Sequence, residues 1–333
     1  MSTKIQLVKD CYPKQKTTVL ESEDFKVTAW TFPTGIEAVE LQANHVSVTV
    51  LPFMGQIIWD AVVDGKSLRM ENMFSYPEPA TQITETYGCF AFHSGLLSAG
   101  CPGPEDDHPL HGEFSCAPFR KAWLELTEDS IAISGRYEYT MGFGDHYQAI
   151  PLVKVFKDST HFDIDMEVTN LSKYQPMPLQ YMCHMNYLYE DGATFGGSLP
   201  NEAFVVRSSV PDHVHPTPEW SKKLEQLIED PNIPQLSEET HFDPEIVWFA
   251  DNLEQYGEKI SVTMSDYFIE FPSKDFGVGT RWILHNPDQK VCAFLIPGTS
   301  RPEGAAAARK AGTMINLAAG ETKSFHVRTG KKD

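Results

Sequence analysis

The sequence predicts an all-β protein built as one large antiparallel β-sandwich over residues 1–333. Three observations predict this fold: apolar and polar residues alternate with period two in many segments, Pro, Gly, Asn and Asp clusters separate these segments, and only two segments have helical spacing. Because no long helices alternate with the strands, a doubly wound parallel sheet is disfavoured. The 22 Gly and 23 Pro are spread evenly, so no linker divides the chain.

The clearest strand lies at 161–169, where four apolar side chains from Phe162 to Val168 alternate with polar ones. A half-buried antiparallel strand produces this pattern, since successive side chains point to opposite faces. Similar alternation predicts further strands at residues 46–51, 131–139, 150–156, 260–264, 268–271, 291–296 and 323–328.

Two short segments have helical spacing. Residues 219–230 lie between Pro218 and Pro231, and residues 305–311 are rich in alanine. Both are too short to build a domain. The first belongs to a proline-rich, acidic stretch at 211–244, which we interpret as a lid or insertion, with a plain surface excursion as the alternative.

The charge balance limits the partners of this protein. Its 46 acidic and 27 basic residues give a net charge of -19, without a cluster of positive charges. Such a surface repels phosphate backbones and anionic lipids, so we expect neither nucleic acid nor membrane as a partner. No apolar run approaches the ~20 residues of a membrane helix, and the charged N-terminus lacks an apolar stretch, which predicts a cytoplasmic protein.

Several familiar chemistries have no support in the sequence. The six cysteines are scattered without a C-x-x-C pair, which disfavours a disulfide framework or a structural zinc site. There is no Gly-rich phosphate loop, nucleophile elbow or dinucleotide fingerprint. We therefore expect no cofactor.

Two segments carry residues suited to a binding site. Residues 100–114 form a loop in which prolines and glycines flank carboxylates and the imidazoles of His108 and His111, a composition typical of binding loops. In the second segment, a strand follows two prolines and presents His184 and Asn186 on one face. This polar pair on an otherwise apolar strand predicts a lined pocket.

In this order, the two segments resemble the aldose 1-epimerase (galactose mutarotase) superfamily. Residues 110–112 match its Leu-His-Gly motif, and residues 168–170, followed by prolines, His184 and Asn186, match its central stretch. The segment from Arg301 through Arg309 looks like a less characterised branch of the same superfamily.

The resemblance implies a β-sandwich whose concave face binds a small carbohydrate and an isomerase that interconverts sugar anomers. A general acid protonates the ring oxygen and a general base removes the proton of the anomeric hydroxyl, so that the ring opens and closes again. By the match, His184 is the general acid, and His111 holds the ring or anomeric oxygen. An imidazole with an ordinary pKa of about 6.5 can donate a proton near neutral pH.

One position departs from the family. Ile296 stands where the general base, a glutamate, is expected. A relocated base is therefore needed, and we favour Glu303 or Glu245, which lie in the C-terminal half, over Glu105 and Asp107 in the His111 loop.

The remaining predicted site residues are sugar-binding ones. His93 is the strong polar candidate where the family's early arginine is absent, and Trp282 can stack on a sugar ring. The predicted binding set is His93, Asn186, Glu245, Arg281 and Trp282. Four histidines could converge on a metal: His93, His108, His111 and His184. The spacing of His108 and His111 suits neither a helical nor a strand pair of ligands, so we predict no metal.

Three hypotheses stay open at this point: a mutarotase-like isomerase with a relocated base, a sugar-binding protein that has lost catalysis, and a different sugar isomerase or lyase that uses the same cleft with or without the assistance of a metal. The sequence names neither the sugar nor the oligomeric state.

Overall fold

Strands make up most of the regular structure. The computed structural model describes residues 3–211, 214–240 and 242–332. In these ranges it contains the helices α1 (Pro218–Glu229) and α2 (Ala305–Ala311). The strands of the same ranges are β1 (Thr3–Leu7), β2 (Thr17–Glu21), β3 (Lys26–Thr31), β4 (Glu37–Gln42), β5 (Val46–Val50), β6 (Ile58–Val63), β7 (Lys66–Ser67), β8 (Ala91–Leu96), β9 (Lys121–Leu126), β10 (Ser130–Thr140), β11 (His146–Phe156), β12 (His161–Asn170), β13 (Met177–Met185), β14 (Phe195–Gly197), β15 (Phe204–Val206), β16 (Phe242–Asp251), β17 (Lys259–Met264), β18 (Tyr267–Pro272), β19 (Val278–His285), β20 (Lys290–Gly298), β21 (Ile315–Leu317) and β22 (Thr322–Lys331).

The strands form two large antiparallel sheets. One sheet has nine strands in the order β1-β9-β10-β11-β12-β22-β18-β17-β14 within the described ranges. The other follows the path β15-β16-β19-β20-β13-β8-β6-β5-β4-β3-β2, with β21 beside β13 and β7 beside β6. The predicted all-β sandwich is therefore confirmed.

The main hydrophobic core lies between the two sheets. In β12 the four alternating apolar side chains, from Phe162 to Val168, are at most 2% exposed, as the period-two pattern predicts. Strands β4 and β5 of the larger sheet contact β10 and β11 of the smaller one. Burial of apolar surface on both inner faces stabilises this arrangement by roughly 25 cal/mol per Å².

Both predicted helices are present. Helix α1 begins after Thr217, whose side-chain oxygen accepts a hydrogen bond from the Trp220 backbone N–H, and Pro218 occupies its first turn. Helix α2 ends at Gly312, whose φ of 72° is the left-handed conformation that glycine adopts readily. No helix in the described ranges is long and apolar enough to cross a membrane.

The 211–244 stretch connects β15 to β16 and carries α1. Its residues 212, 213 and 241 lie outside the described residues. The buried Trp220 of α1 donates its indole N–H to the Glu245 backbone oxygen at 3.2 Å, and Trp248 donates likewise to Pro231 at 3.1 Å. The first bond joins α1 to β16, and the second joins the segment after α1 to the same strand. The lid interpretation stays a prediction.

Candidate active site

A small cavity lies on the face of the larger sheet that is turned away from the main core. Its volume is about 160 Å³. Strands β13, β16, β19 and β20 supply one wall, and the loops before β8 and β9 supply another. The lining side chains are the aromatic and imidazole rings of Tyr87, His111, His184 and Trp282, the apolar Leu110, Met182, Val247, Ile296 and Pro302, and the polar Cys101, Arg207, Glu245 and Thr280.

His184 is held by its neighbours on both sides. Its Nδ1 lies 2.9 Å from Asn186 Oδ1, while Asn186 Nδ2 donates to the Cys89 backbone oxygen at 3.0 Å. Because the Asn186 amide is oriented by that second bond, it accepts from His184, and the hydrogen of the neutral imidazole stands on Nδ1. The ring of Phe92 stacks on the imidazole with centroids 4.6 Å apart.

Burial keeps His184 neutral. Desolvation lowers its pKa to about 3, although the bond to Asn186 opposes the shift. Its Nε2 therefore carries a lone pair and lies 3.4 Å from the Tyr87 hydroxyl. The sequence-based expectation that His184 has an ordinary pKa of about 6.5 is therefore wrong, because the side chain is buried.

His111 reaches the cavity from the 100–114 loop. Its φ of 63° and the φ of 78° at Gly112 turn the chain sharply, and a Cβ added at Gly112 would stand 2.1 Å from the Ser98 oxygen. His111 Nδ1 lies 3.0 Å from Ser94 Oγ on β8. The His111 and His184 rings are 4.9 Å apart at their centroids and nearly perpendicular. Both imidazoles therefore face one cavity.

Glu245 forms the polar wall together with Arg207 and Trp282. Arg207 Nη2 donates to its Oε1 at 2.8 Å, and the Trp282 indole N–H donates to its Oε2. The Arg207 and Glu245 side chains are only 7% and 15% exposed, so this ion pair is largely removed from water. Such a pair fixes the carboxylate in place, because both groups depend on each other for compensation of charge.

Two predicted binding residues point away from the cavity. His93 follows Phe92 on β8 and so faces the main core, where its Nδ1 lies 2.8 Å from the Tyr181 hydroxyl. Arg281 precedes Trp282 and likewise faces inward, stacked on Phe195 and Phe204 at 4.1 and 4.2 Å. Because side chains alternate along a strand, neither can contact a ligand in the cavity.

Three further predicted residues lie outside the lining. Asn186 is completely buried behind His184, so it orients that imidazole instead of touching a ligand. Glu303 turns outward, where its Oε1 accepts from Ser209 Oγ at 3.2 Å and its Oε2 lies 4.0 Å from Arg301. The alternatives Glu105 and Asp107 are not among the residues that line the cavity either.

The expected position of the general base is inside the cavity but apolar. Ile296 on β20 is 1% exposed and forms part of the wall. Nearby, the Thr280 hydroxyl is buried and has no hydrogen-bond partner among the described residues. A buried hydroxyl normally finds a partner, so this one is available to a polar group of a ligand.

The four histidines weighed as metal ligands do not converge. His93 faces the main core, and His108 Nδ1 lies 2.9 Å from the Pro109 backbone oxygen. Within residues 3–211, 214–240 and 242–332, no group of three His, Cys, Asp or Glu side chains is arranged to hold a metal ion.

Sequence reasoning missed Tyr87 and Arg207. Both lie outside the recognised motifs, Tyr87 just before β8 and Arg207 just after β15. Arg207 is brought to Glu245 by the pairing of β15 with β16, where its backbone N–H donates to the Val247 oxygen at 2.8 Å. Only the order of strands in the sheet reveals these contacts.

The buried His93 predicts a pH-dependent stability. Desolvation lowers its pKa to about 3 in the folded chain, whereas the unfolded value is near 6.5, so the unfolded chain binds more protons and stability falls as the pH drops below 6.5. Between pH 7.5 and 5, His93 should lower the free energy of unfolding by about 2 kcal/mol. Urea unfolding should show that the free energy of unfolding of His93→Gln falls by about 2 kcal/mol less than that of the wild type over this pH interval. An equal loss in both proteins would contradict the prediction.

No protein-family model matches the sequence, and a comparison with curated proteins likewise finds no significant match. Solved structures do match. A proposed aldose 1-epimerase from Klebsiella pneumoniae is 16% identical with a TM-score of 0.80, covering 99% of this chain and 91% of that chain. A galactose mutarotase-like protein from Clostridium acetobutylicum is 13% identical with a TM-score of 0.62, covering 92% and 98%.

The chain has the galactose mutarotase-like fold. A proposed mutarotase from Salmonella typhimurium, with 8% identity and a TM-score of 0.60 over 97% of this chain and 98% of that chain, shares it. The predicted resemblance thus holds for the architecture. At these identities, the mutarotase-like fold is what the comparisons establish, and the chemistry has to be argued from the cavity.

Proposed function

We propose that this protein is an aldose 1-epimerase-like isomerase that interconverts the anomers of a free sugar by acid–base ring opening. The observation that carries the proposal is the pair of imidazoles, His111 and His184, with centroids 4.9 Å apart in one cavity of a mutarotase-like fold. Two imidazoles at this separation suit a ring in which the reacting oxygens share one carbon, because one can exchange a proton with the anomeric hydroxyl while the other holds the ring or anomeric oxygen.

The cavity suits a monosaccharide. Its volume of about 160 Å³ is small compared with the roughly 300–1,000 Å³ of sites for larger ligands. Ring faces of Tyr87 and Trp282 offer apolar contact for the C–H face of a sugar. The Glu245 carboxylate, which lines the cavity, and the Thr280 hydroxyl offer hydrogen bonds to sugar hydroxyls.

The neutral state of His184 favours a different role from the one implied by the family resemblance. With its proton on Nδ1 and a lone pair on Nε2, this imidazole is suited to accept the proton of the anomeric hydroxyl. His111, whose Nδ1 is in hydrogen-bond contact with Ser94 Oγ, keeps the proposed role of holding the ring or anomeric oxygen. The outward-facing Glu303 is no longer proposed as the base, and Glu245 is proposed as a sugar-binding residue.

A second candidate is a sugar-binding protein without turnover. The observation that favours it is Ile296, an apolar side chain at the position expected for the base. The metal-assisted form of the third hypothesis, a sugar isomerase or lyase, differs from both in that it requires an added cation.

Polarimetry on freshly dissolved glucose, galactose and a panel of less common aldoses tests these alternatives. Acceleration that survives chelation and is lost in His184→Ala supports the isomerase. Saturable sugar binding without acceleration would identify the binding protein, and activity lost on chelation would identify the metal-assisted enzyme.

The pH profile gives an independent test. Because the pKa of His184 is lowered to about 3, the neutral form persists as the pH falls, and catalysed exchange should stay nearly constant from pH 7.5 to 5. A base with the ordinary pKa of 6.5 would lose about thirtyfold by pH 5. Such a loss, measured after subtraction of the spontaneous rate, would contradict the proposed state of His184.

A further inference from the structure

We propose that the Tyr87 hydroxyl is the catalytic proton donor that works with His184 in ring opening. This proposal rests on the proposed isomerase function and supplies the second proton-transfer group that Ile296 cannot provide. No motif pointed to Tyr87, and its assignment depends on where the fold places it.

Tyr87 stands at the centre of the cavity's aromatic wall. Its hydroxyl lies 3.4 Å from His184 Nε2, and its ring centroid lies 6.1 Å from that of His184 and 5.8 Å from that of Trp282. The ring of His111 lies 6.3 Å away. The hydroxyl therefore shares the space in which a sugar would meet both imidazoles.

The direction of the Tyr87–His184 contact follows from Asn186. Because the Nδ1–H of His184 donates to Asn186, Nε2 is the acceptor, and the Tyr87 O–H points its hydrogen toward it. Burial raises the pKa of Tyr87 well above 10 while it lowers that of His184. At rest, both groups are neutral, one with a proton to give and one with a lone pair to receive it.

These two groups balance the reaction. His184 Nε2 takes the proton of the anomeric hydroxyl, and the electrons of that O–H bond form the carbonyl of the aldehyde. The bond from the anomeric carbon to the ring oxygen breaks with both electrons on the ring oxygen, which takes the proton of Tyr87. The imidazolium then returns its proton to the neighbouring phenolate, the aldehyde carbon rotates, and the reverse steps close the other face.

The apolar surroundings favour such a relay. The stacked Phe92, the buried position of His184 and the partly buried position of Tyr87 disfavour a lasting charge on either group. The relay restores two neutral groups after each opening and consumes no proton overall. Among the other lining groups, both oxygens of Glu245 already accept hydrogen bonds from Arg207 and Trp282, and burial raises the pKa of the Cys101 thiol to about 11.

The test compares Tyr87→Phe with Tyr174→Phe, a matched change at a tyrosine that is 84% exposed. Exchange NMR on D-glucose and D-galactose labelled at the anomeric carbon gives the rate, and titration of the same sugars gives the affinity. We expect Tyr87→Phe to lose about 10²- to 10⁴-fold in turnover, with an affinity within about threefold of the wild type, while Tyr174→Phe keeps both.

Two results would overturn the assignment. Turnover by Tyr87→Phe within about threefold of the wild type would show that the hydroxyl is not the donor, and an equal loss of affinity and turnover would make Tyr87 a binding residue only. If the wild type itself fails to accelerate exchange, the proposed function fails and this proposal with it. An active wild type with an equally active Tyr87→Phe defeats this proposal alone.

Discussion

Replacement of His184 by alanine is expected to reduce catalysed anomer exchange by about 10²- to 10⁴-fold, the usual contribution of a general acid or base. The change removes the Nε2 lone pair that faces the Tyr87 hydroxyl and leaves Asn186 Oδ1 without its donor. His111 reaches the cavity from a different loop, its Nδ1 faces Ser94, and its proposed role is to hold the ring or anomeric oxygen, so we expect the loss to persist.

The matched control is His146→Ala. His146 is a partly exposed histidine at the start of β11 that contacts Glu138 on β10. It should leave exchange unchanged. Sugar titration of His184→Ala separates loss of chemistry from loss of the cavity, since the alanine also removes the ring stacked on Phe92. Retained turnover in a folded His184→Ala protein would remove this histidine from the mechanism.

Replacement of Glu245 by leucine is expected to lower the free energy of unfolding by about 3 kcal/mol, the lower end of the range for a broken buried pair. The reason is Arg207, whose side chain is 7% exposed and whose guanidinium would lose its carboxylate partner. The Trp282 indole N–H also loses its acceptor. Urea unfolding at pH 7.5 measures the effect, and sugar titration should show weaker binding.

A double variant distinguishes the charge from the packing. Combining Glu245→Leu with Arg207→Met removes both charges. The double variant should therefore lose markedly less free energy of unfolding than the sum of the losses in the two single variants. Neither variant should regain sugar affinity, because the carboxylate is absent in both. Additive losses in the cycle would mean that the ion pair contributes little and that the buried guanidinium is satisfied by other groups.

The fold was predictable where one face of a strand is buried. Strands such as β12 and β22 alternate because each separates the core from solvent. The bounds of β12 agree with the predicted run to within one residue, whereas β22 continues to Lys331, beyond the predicted end at residue 328. The pattern fails elsewhere for physical reasons. All six residues of β8 are buried, so no alternation marks it, and most side chains of the edge strand β1 are exposed.

The site was predictable only where a motif marked it. The family motifs pointed to His111 and His184, which the fold brings together. His93 and Arg281 were assigned to the cavity although strand parity turns them into the core. The face on which a strand residue lies depends on the register of that strand, and the direction of the Glu303 side chain depends on the path of the loop after β20. Tyr87 and Arg207 become neighbours of the imidazoles and of Glu245 through pairing between distant strands, which no local pattern encodes.

Catalysis of anomer exchange at His184 is the proposal on which the other catalytic roles depend. The most direct measurement is two-dimensional exchange NMR at chemical equilibrium, in which wild-type protein at catalytic concentration is added to an aldose labelled at the anomeric carbon. We expect cross-peaks between the α and β signals that grow in proportion to protein concentration and fall to the spontaneous level with His184→Ala. Sugar that binds the wild type while its α and β signals exchange no faster than in buffer would contradict it.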